Sequence, residues 1–308
     1  MNLKEVSIEY LTLIKYSVKE RTLLNYQQMV NRYIKDDKLA QIEIKNLDNN
    51  LLNEYLLSKY KKGLSCGTLK ILKTIINKLL NFAYEKDYTS KYLKITTSFK
   101  QESIQKIESL NAVEMKKLET YILENKKYYS YGVLISLYTG LRIGELLALK
   151  WKNIDFANKV MSITSTASDV FFENKSYHLE STPKSDSSLR EIPLTNELVL
   201  LLKDLQCYQQ NKSEYVVSRP NGKRLLMRSY QDSFSRLLKK LNIRHYGFHS
   251  LRHTFATRCY HLGMDIKTLS ELLGHSSPAI TLKIYVHTDL DTKRKALNRI
   301  TKKYRQNV

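Results

Sequence analysis

The chain has 308 residues, enough for two domains, and carries 51 Lys+Arg against 30 Asp+Glu, a formal net charge of +21. That excess is larger than solubility requires and points to a polyanionic partner. Cys66, Cys207 and Cys259 form neither a disulfide framework nor a zinc pattern, which fits a reducing cytoplasm; no apolar run reaches the ~18 residues of a membrane span, MNLKEVSIEYL lacks a signal-peptide core, and no GxxxxGK loop supports ATP use.

The positive charge is spread along the chain. Residues 1–96 hold 17 basic and 10 acidic side chains, net +7, which leaves +14 for the remainder. Two basic domains are therefore expected rather than one basic tail. Within 1–96 the apolar spacing predicts four helices. One lies near Ile8–Ile14, and a second carries Tyr26, Met29, Val30, Tyr33 and Ile34 on one face. A third spans Leu51–Tyr60, with Asp48 or Asn49 at its start and Gly63 beyond its end. The fourth spans Thr68–Tyr84, with a stripe of Leu69, Leu72, Ile76, Leu79, Leu80 and Ala83. Lys70, Lys73 and Lys78 lie off that stripe, as a solvated face or as a basic surface for a polyanion.

Residues 97–107 lack an apolar period and are the expected linker. From 108 onward Asn111 can cap a helix bearing Val113, Met115 and Leu118. The next carries Tyr131, Leu134, Ile135 and Tyr138 and breaks at Thr139-Gly140. Arg142 should then lie in the first turn of a helix with Ile143, Leu146, Leu147 and Leu149, where Glu145 can meet it on one face. VMSITST, SYHLEST and LREIPL read as a three-stranded antiparallel sheet, with Lys184 near the tip of its last hairpin. Residues 195–240 return to helix around a turn at RPNGK, where Arg219, Lys223 and Arg224 could touch backbone phosphate.

The stretch from His249 to Tyr285 reads as three short helices. Ser250 can cap the first, which has Leu251, Phe255, Cys259 and Leu262 on one face and ends at Gly263. Asp265 can cap the second, with Ile266, Leu269, Leu272 and Leu273 inward and Gly274 at its end, and Ser277-Pro278 starts the third. These faces leave His249, Arg252, His275 and Tyr285 unassigned. A guanidinium grips phosphate bidentately and stays charged, an imidazole bonds an oxygen or moves a proton, and a phenol is a nucleophile. Together they suggest phosphoryl transfer to a tyrosine. The plain alternative is that Arg252 pairs with a carboxylate and Tyr285 packs in a core. With 22 tyrosines in the chain, chemistry alone does not select Tyr285.

HSLRHTFAT, followed by LLGH ten residues before the Tyr of IYVHT, resembles the C-terminal half of the tyrosine recombinase (phage integrase) family, with its His-x-x-Arg, Leu-Gly-His and nucleophilic Tyr. TGLRIGELLAL supplies that family's upstream arginine as Arg142, and STPKSDSSLREIPL supplies its hairpin lysine as Lys184. The resemblance covers roughly 108–290. It implies a mainly α fold, with a four-helix core-site DNA-binding domain at 1–96 and a mostly helical catalytic domain at 108–308 that holds a small three-stranded antiparallel sheet. No further N-terminal domain is expected. The basic tail at 288–308 is expected to dock on a neighbouring protomer.

The same resemblance implies a mechanism. Tyr285 attacks a scissile phosphate, is joined to the 3′ phosphate and frees a 5′ hydroxyl. His249 is the general base or positions the phosphate, Arg142 and Arg252 clamp its oxygens, Lys184 protonates the leaving oxygen, and His275 donates a hydrogen bond. Glu145 orients Arg142. No cofactor or metal is expected, since two arginines and a lysine can replace a divalent cation, and His249 with His253 lacks a third zinc ligand. The implied partners are double-stranded DNA, a homo-tetramer on two sites, and an excision or directionality factor, with no membrane. Integration or excision of a mobile element is the first reading. An Xer-type dimer resolvase, a type IB topoisomerase and a helix-turn-helix regulator at 250–273 are the alternatives.

Overall fold

The structure, a computed structural model, describes residues 1–99, 108–173, 175–182, 186–210, 212–285, 294 and 297–298. Lys184, most of the 97–107 stretch, the Tyr285 side chain and nearly all of the 288–308 tail lie outside the described residues. The chain divides into two compact units, Met1–Gln105 with Val170–Tyr177, and Lys106–Asp169 with His178–Val308. The architecture is mainly α, as expected. Among the described residues no helix is long and apolar enough to cross a membrane.

The first unit contains α1 (Leu3–Ile14), α2 (Glu20–Tyr33), the single turn α3 (Lys38–Gln41), α4 (Asn49–Lys61) and α5 (Cys66–Glu85). Side-chain caps set four of the starts, Asp37 accepting the Leu39 N–H ahead of α3. Asn2 and Glu5 form a capping box on α1, Asp48 accepts the Leu51 N–H ahead of α4, and Ser65 accepts the Thr68 N–H ahead of α5. The predicted α5 stripe is buried in full and is joined by Ile75 and Phe82. Two lysines off the stripe bind their own unit. Lys73 donates to the Thr96 and Thr97 carbonyls at 2.9 and 2.8 Å, and Lys78 donates to the Tyr26 hydroxyl at 3.0 Å.

The elements that follow belong to the second unit, apart from the tip of one hairpin, Val170–Tyr177. They are α6 (Ala112–Asn125), α7 (Tyr128–Thr139), α8 (Ile143–Ala148), β1 (Ile154–Asp155), β2 (Val160–Ile163), β3 (Thr166–Phe172), β4 (Lys175–Ser181), β5 (Arg190–Pro193), α9 (Asn196–Gln209), α10 (Met227–Lys240), α11 (His249–His261), α12 (Ile266–Leu273) and α13 (Pro278–Tyr285). Helix α7 runs through the core, with Tyr131, Val133, Leu134, Ile135 and Leu137 buried, and α9 and α11 pack against it. The sheet differs from expectation in one strand. VMSI and REIP pair antiparallel, Met161 opposite Ile192, but β1 supplies the third strand, and Lys175–Ser181 pairs with Thr166–Phe172 in a separate hairpin. Strand β4 has no buried residue, so its alternation marks a surface hairpin and not a core-facing strand.

Candidate active site

The site is built where the start of α11, the end of α12 and the start of α8 meet. Helix α11 begins at His249, because Phe248 is already helical at φ −55° and ψ −29°, so Ser250 stands inside the first turn and does not cap it. Its hydroxyl is buried and has no hydrogen-bond partner among the described residues. Arg252 follows one turn in, next to the fully buried Leu251, and is only 1% exposed. Leu262, expected on the apolar face, is 83% exposed; it follows the last helical residue, and Gly263 at φ +93° turns the chain away there. Asp265 caps α12 by accepting the Thr268 N–H at 2.9 Å. Gly274 ends α12 at φ +64°, and Ser277 accepts the Ala279 N–H at the start of α13.

Arg142 sits one residue earlier than expected, as the residue preceding α8. Its Nη1 donates to Glu145 Oε1 at 2.7 Å, and its backbone N–H donates to Glu145 Oε2 at 3.0 Å. Its Nη2 donates to the Gly274 carbonyl at 3.0 Å. About a third of its side chain, 35%, still faces solvent. Arg252 spans two chain segments, with Nη1 donating to the Gly140 carbonyl at 2.9 Å and Nη2 to the Leu273 carbonyl at 2.7 Å. Gly140 must be glycine for this. Its φ is +68°, and a Cβ would lie 2.5 Å from Phe255.

Sequence reading missed a third arginine. Arg190, whose side chain is 6% exposed, donates from Nη2 to Glu145 Oε2 at 3.0 Å and from Nε to the Leu272 carbonyl at 2.6 Å. A signal was present. In β5 Arg190 lies two residues from the buried Ile192 and so shares its inward face, which puts a charge where alternation calls for a hydrophobe. Burial alone would raise the Glu145 carboxyl, but the bond and charge of Arg190, then the charge of Arg142, outweigh it and hold the group below the usual carboxylate range.

Two imidazoles complete the arrangement. His249 is open to solvent on one side and packs edge-on to His253, ring centroids 4.5 Å apart. Desolvation, then the positive fields of His253, Arg252 and Arg142, push it from 6.5 down to about 4. His275 pairs through Nδ1 with the Thr281 hydroxyl at 2.8 Å. Desolvation, then Arg252, Arg142, Arg190 and His249, bring it to about 4 as well. Both rings are neutral at pH 7, while Arg142 and Arg190 pair with Glu145 and Arg252 is held by the Gly140 and Leu273 carbonyls. An anion entering this field offsets the repulsion that keeps the rings unprotonated, so a phosphodiester would raise both pKa values as it binds.

Arg142, Glu145, Arg252 and His275 are thus joined through direct bonds or through the consecutive α12 carbonyls, and His249 lies within their field. The backbone of Tyr285 ends α13, and Lys184 falls outside the described residues. Arg224 is not available for phosphate. Its side chain is nearly buried and pairs with Asp169 at 2.6 Å and Glu180 at 3.7 Å.

Residues 105–291 match the model of the family described as the phage integrase family. A protein described as tyrosine recombinase XerC-like, from Caldanaerobacter subterraneus subsp. tengcongensis, is 27% identical over 299 residues, covering 89% of this chain and 76% of that protein. The transposase from transposon Tn916 of Enterococcus faecalis is 25% identical over 292 residues, covering 89% of this chain and 71% of its own. In fold, the chain is similar to the Tn1549 transposon integrase in complex with a circular intermediate DNA, with a TM-score of 0.80, 24% identity, and coverage of 97% of this chain and 99% of that one.

Proposed function

The chain belongs to the phage integrase family and is a tyrosine-type site-specific DNA recombinase, and on that premise we propose that Tyr285 is its nucleophile and that its reaction integrates or excises a mobile element. The observation that carries this reading is the pairing of Arg142 and Arg190 with Glu145 and the anchoring of Arg252 on the same end of α12, with two imidazoles kept neutral beside them. Guanidiniums already fixed by the protein stabilise the extra negative charge of a five-coordinate phosphorus without having to reorganise. Arg142, with its open face, and Arg252 clamp the non-bridging oxygens. His249, neutral before the phosphate arrives, takes or orients the phenol proton, because a phenol with an ordinary pKa near ~10 is a poor nucleophile unaided. His275 donates to the phosphate while Thr281 holds its other nitrogen, and Lys184 protonates the departing 5′ oxygen. The phosphotyrosyl bond conserves the energy of the phosphodiester, so a 5′ hydroxyl from the partner strand reverses the step without ATP.

We assign residues 1–96 to gripping the core site, 97–107 to the linker and 108–308 to catalysis, with four protomers on two duplexes. The transposase relative and the fold of a transposon integrase support a mobile element as the source. A dimer-resolving role is the second reading, supported by the XerC-like relative. Genes for an excision factor beside this one would favour the first.

The test uses duplexes nicked near the crossover, which trap the covalent intermediate. Wild-type protein should give an adduct that survives denaturing electrophoresis with EDTA present, and Tyr285→Phe should give none. An adduct from the variant would move the nucleophile to another tyrosine.

A further inference from the structure

The last three residues of the α12 turn, Leu272, Leu273 and Gly274, each give their carbonyl to a different arginine. Arg190 reaches the first through Nε at 2.6 Å, Arg252 the second through Nη2 at 2.7 Å, and Arg142 the third through Nη2 at 3.0 Å. The C-terminal end of a helix carries partial negative charge and orphan carbonyls, so cations are stabilised there. Three guanidiniums from three elements on one helix end is far more than capping requires. Arg190 also bridges to Glu145, through both terminal nitrogens at 3.0 and 3.3 Å, and it is braced by the Ser188 carbonyl at 3.2 Å. It occupies the space that Gly274 leaves by lacking a side chain, because a Cβ there would lie 2.9 Å from Nη1.

We propose that Arg190 is a positioning residue for strand cleavage: by tying Glu145 to the end of α12, it fixes the Arg142 guanidinium and the His275 imidazole in one arrangement around the phosphate. This rests on the recombinase reading of the site. Glu145 holds Arg142 through two bonds, and His275 directly follows the carbonyls that Arg190, Arg252 and Arg142 secure. Without Arg190, the buried carboxylate would keep Arg142 as its partner and draw that guanidinium inward, away from an incoming phosphate, while the Leu272 carbonyl would lose its donor. A lysine could serve Glu145 or the carbonyl but not both, because its single ammonium lacks the planar fork.

Among the described residues, the charged and titratable groups around Glu145 are Arg142 ahead of its own helix, Arg190 from β5 and His249 from α11. Arg190 is the larger of the two influences that offset the desolvation of Glu145. Its loss should therefore let Glu145 take up a proton at a higher pH than in the wild type, which gives a readout that a merely structural role would not move.

The experiment uses the full chain and a nicked duplex chosen by wild-type protein from a pool with a randomised core, through recovery and sequencing of the adducts. Single-turnover adduct formation at saturating DNA is measured against pH for wild type, Arg190→Lys, Arg190→Ala, Glu145→Gln and the Ala/Gln double variant, alongside gel-shift binding and thermal melting. Arg190→Lys should bind and melt like wild type but cleave about 10²-fold slower, the scale of an ångström-level misplacement. An acid limb should appear at higher pH in both Arg190 variants and vanish when Glu145→Gln is added. The double variant should be no slower than the slower single one, because the two residues act in series. Wild-type cleavage by Arg190→Lys, a rate loss matched by lost binding, additive effects in the double variant, or failure of Arg190→Lys to fold would each overturn the proposal. The absence of any wild-type adduct from the pool would instead overturn the recombinase reading beneath it.

Discussion

The two units bury different chemistry. In Met1–Gln105 the described buried residues are apolar except for Ser7 and Thr89. The second unit buries Arg252 and, at 4% exposure, Glu145, with Arg190 beside them. Taking a charge out of water costs several kcal/mol unless partners replace the lost solvent. In this nest the partners are backbone carbonyls at chain reversals and one shared carboxylate, so each group holds the others and none can be removed alone. An apolar core tolerates a lost methyl group as a cavity. A charged nest responds to a lost member by leaving its partners exposed to their full desolvation cost.

The largest expected effect tests that difference directly. Arg252→Ala leaves the Gly140 and Leu273 carbonyls without their guanidinium, and should cost about 3–5 kcal/mol together with all detectable adduct. Ile76→Ala, in the fully buried stripe of α5, should cost a similar ~2–5 kcal/mol through its cavity, yet leave the cleavage rate at saturating DNA unchanged. Denaturant melts and single-turnover assays on the two variants separate the outcomes. A stable Arg252→Ala protein would break the claim that the nest is interdependent.

A smaller effect comes from two glycines with the same backbone handedness. Gly63, beyond α4, has φ +85°, and a Cβ added there would meet nothing within 4 Å, whereas at Gly274 a Cβ would meet Arg190 at 2.9 Å and the Ser187 carbonyl at 3.0 Å. Gly63→Ala should therefore cost only the left-handed penalty of about 1–2 kcal/mol. Gly274→Ala adds displacement of Arg190, so it should cost more and should slow cleavage as well.

Acid should also discriminate between the units. Residues 1–105 contain no histidine, while His249 and His275 are held near 4 from an ordinary 6.5. A folded-state pKa below the unfolded one means that the unfolded chain takes up protons first. Their contribution is then complete above about pH 6.5 and is lost as pH falls toward 4. The melting temperature should drop over that window, and His275→Gln should flatten the drop. A profile unchanged by the substitution would assign the loss to carboxylates elsewhere.

Legibility followed the same division. The long helices of the first unit could be read because their apolar stripes repeat at helical spacing and Asp48 marks one of the starts, whereas Ser65, which caps α5 three residues before the expected start at Thr68, was not singled out. Helix α3 could not, since four residues are too few to show a period. The β4 segment alternated like a core strand, but its partner was settled by hairpin formation and not by burial. At the site, Arg142, Glu145, Arg252, His249 and His275 were found through motifs, because spacing within a motif survives where periodicity is silent. Arg190 was in plain view as a charge on the inward face of β5. It was passed over because a buried arginine is meaningful only with its carboxylate, and Glu145 is 45 residues away in sequence.

Helix caps make the finest comparison, because chemistry and expected cost are matched. Ser65 caps α5 and Asp265 caps α12, each by accepting the N–H of the residue three positions on. Replacing either by alanine should cost about 1 kcal/mol. In α5 that loss is spread over twenty residues whose stripe is buried along its whole length, so Ser65→Ala should lower the melting temperature and nothing else. Helix α12 is eight residues long, and its far end supplies the carbonyls that hold all three arginines. Fraying from the Asp265 end therefore reaches those carbonyls within two turns. Asp265→Ala should match Ser65→Ala in stability yet slow adduct formation at saturating DNA, and equal rates for the two variants would show that the arginines hold the end of α12 without help from its beginning.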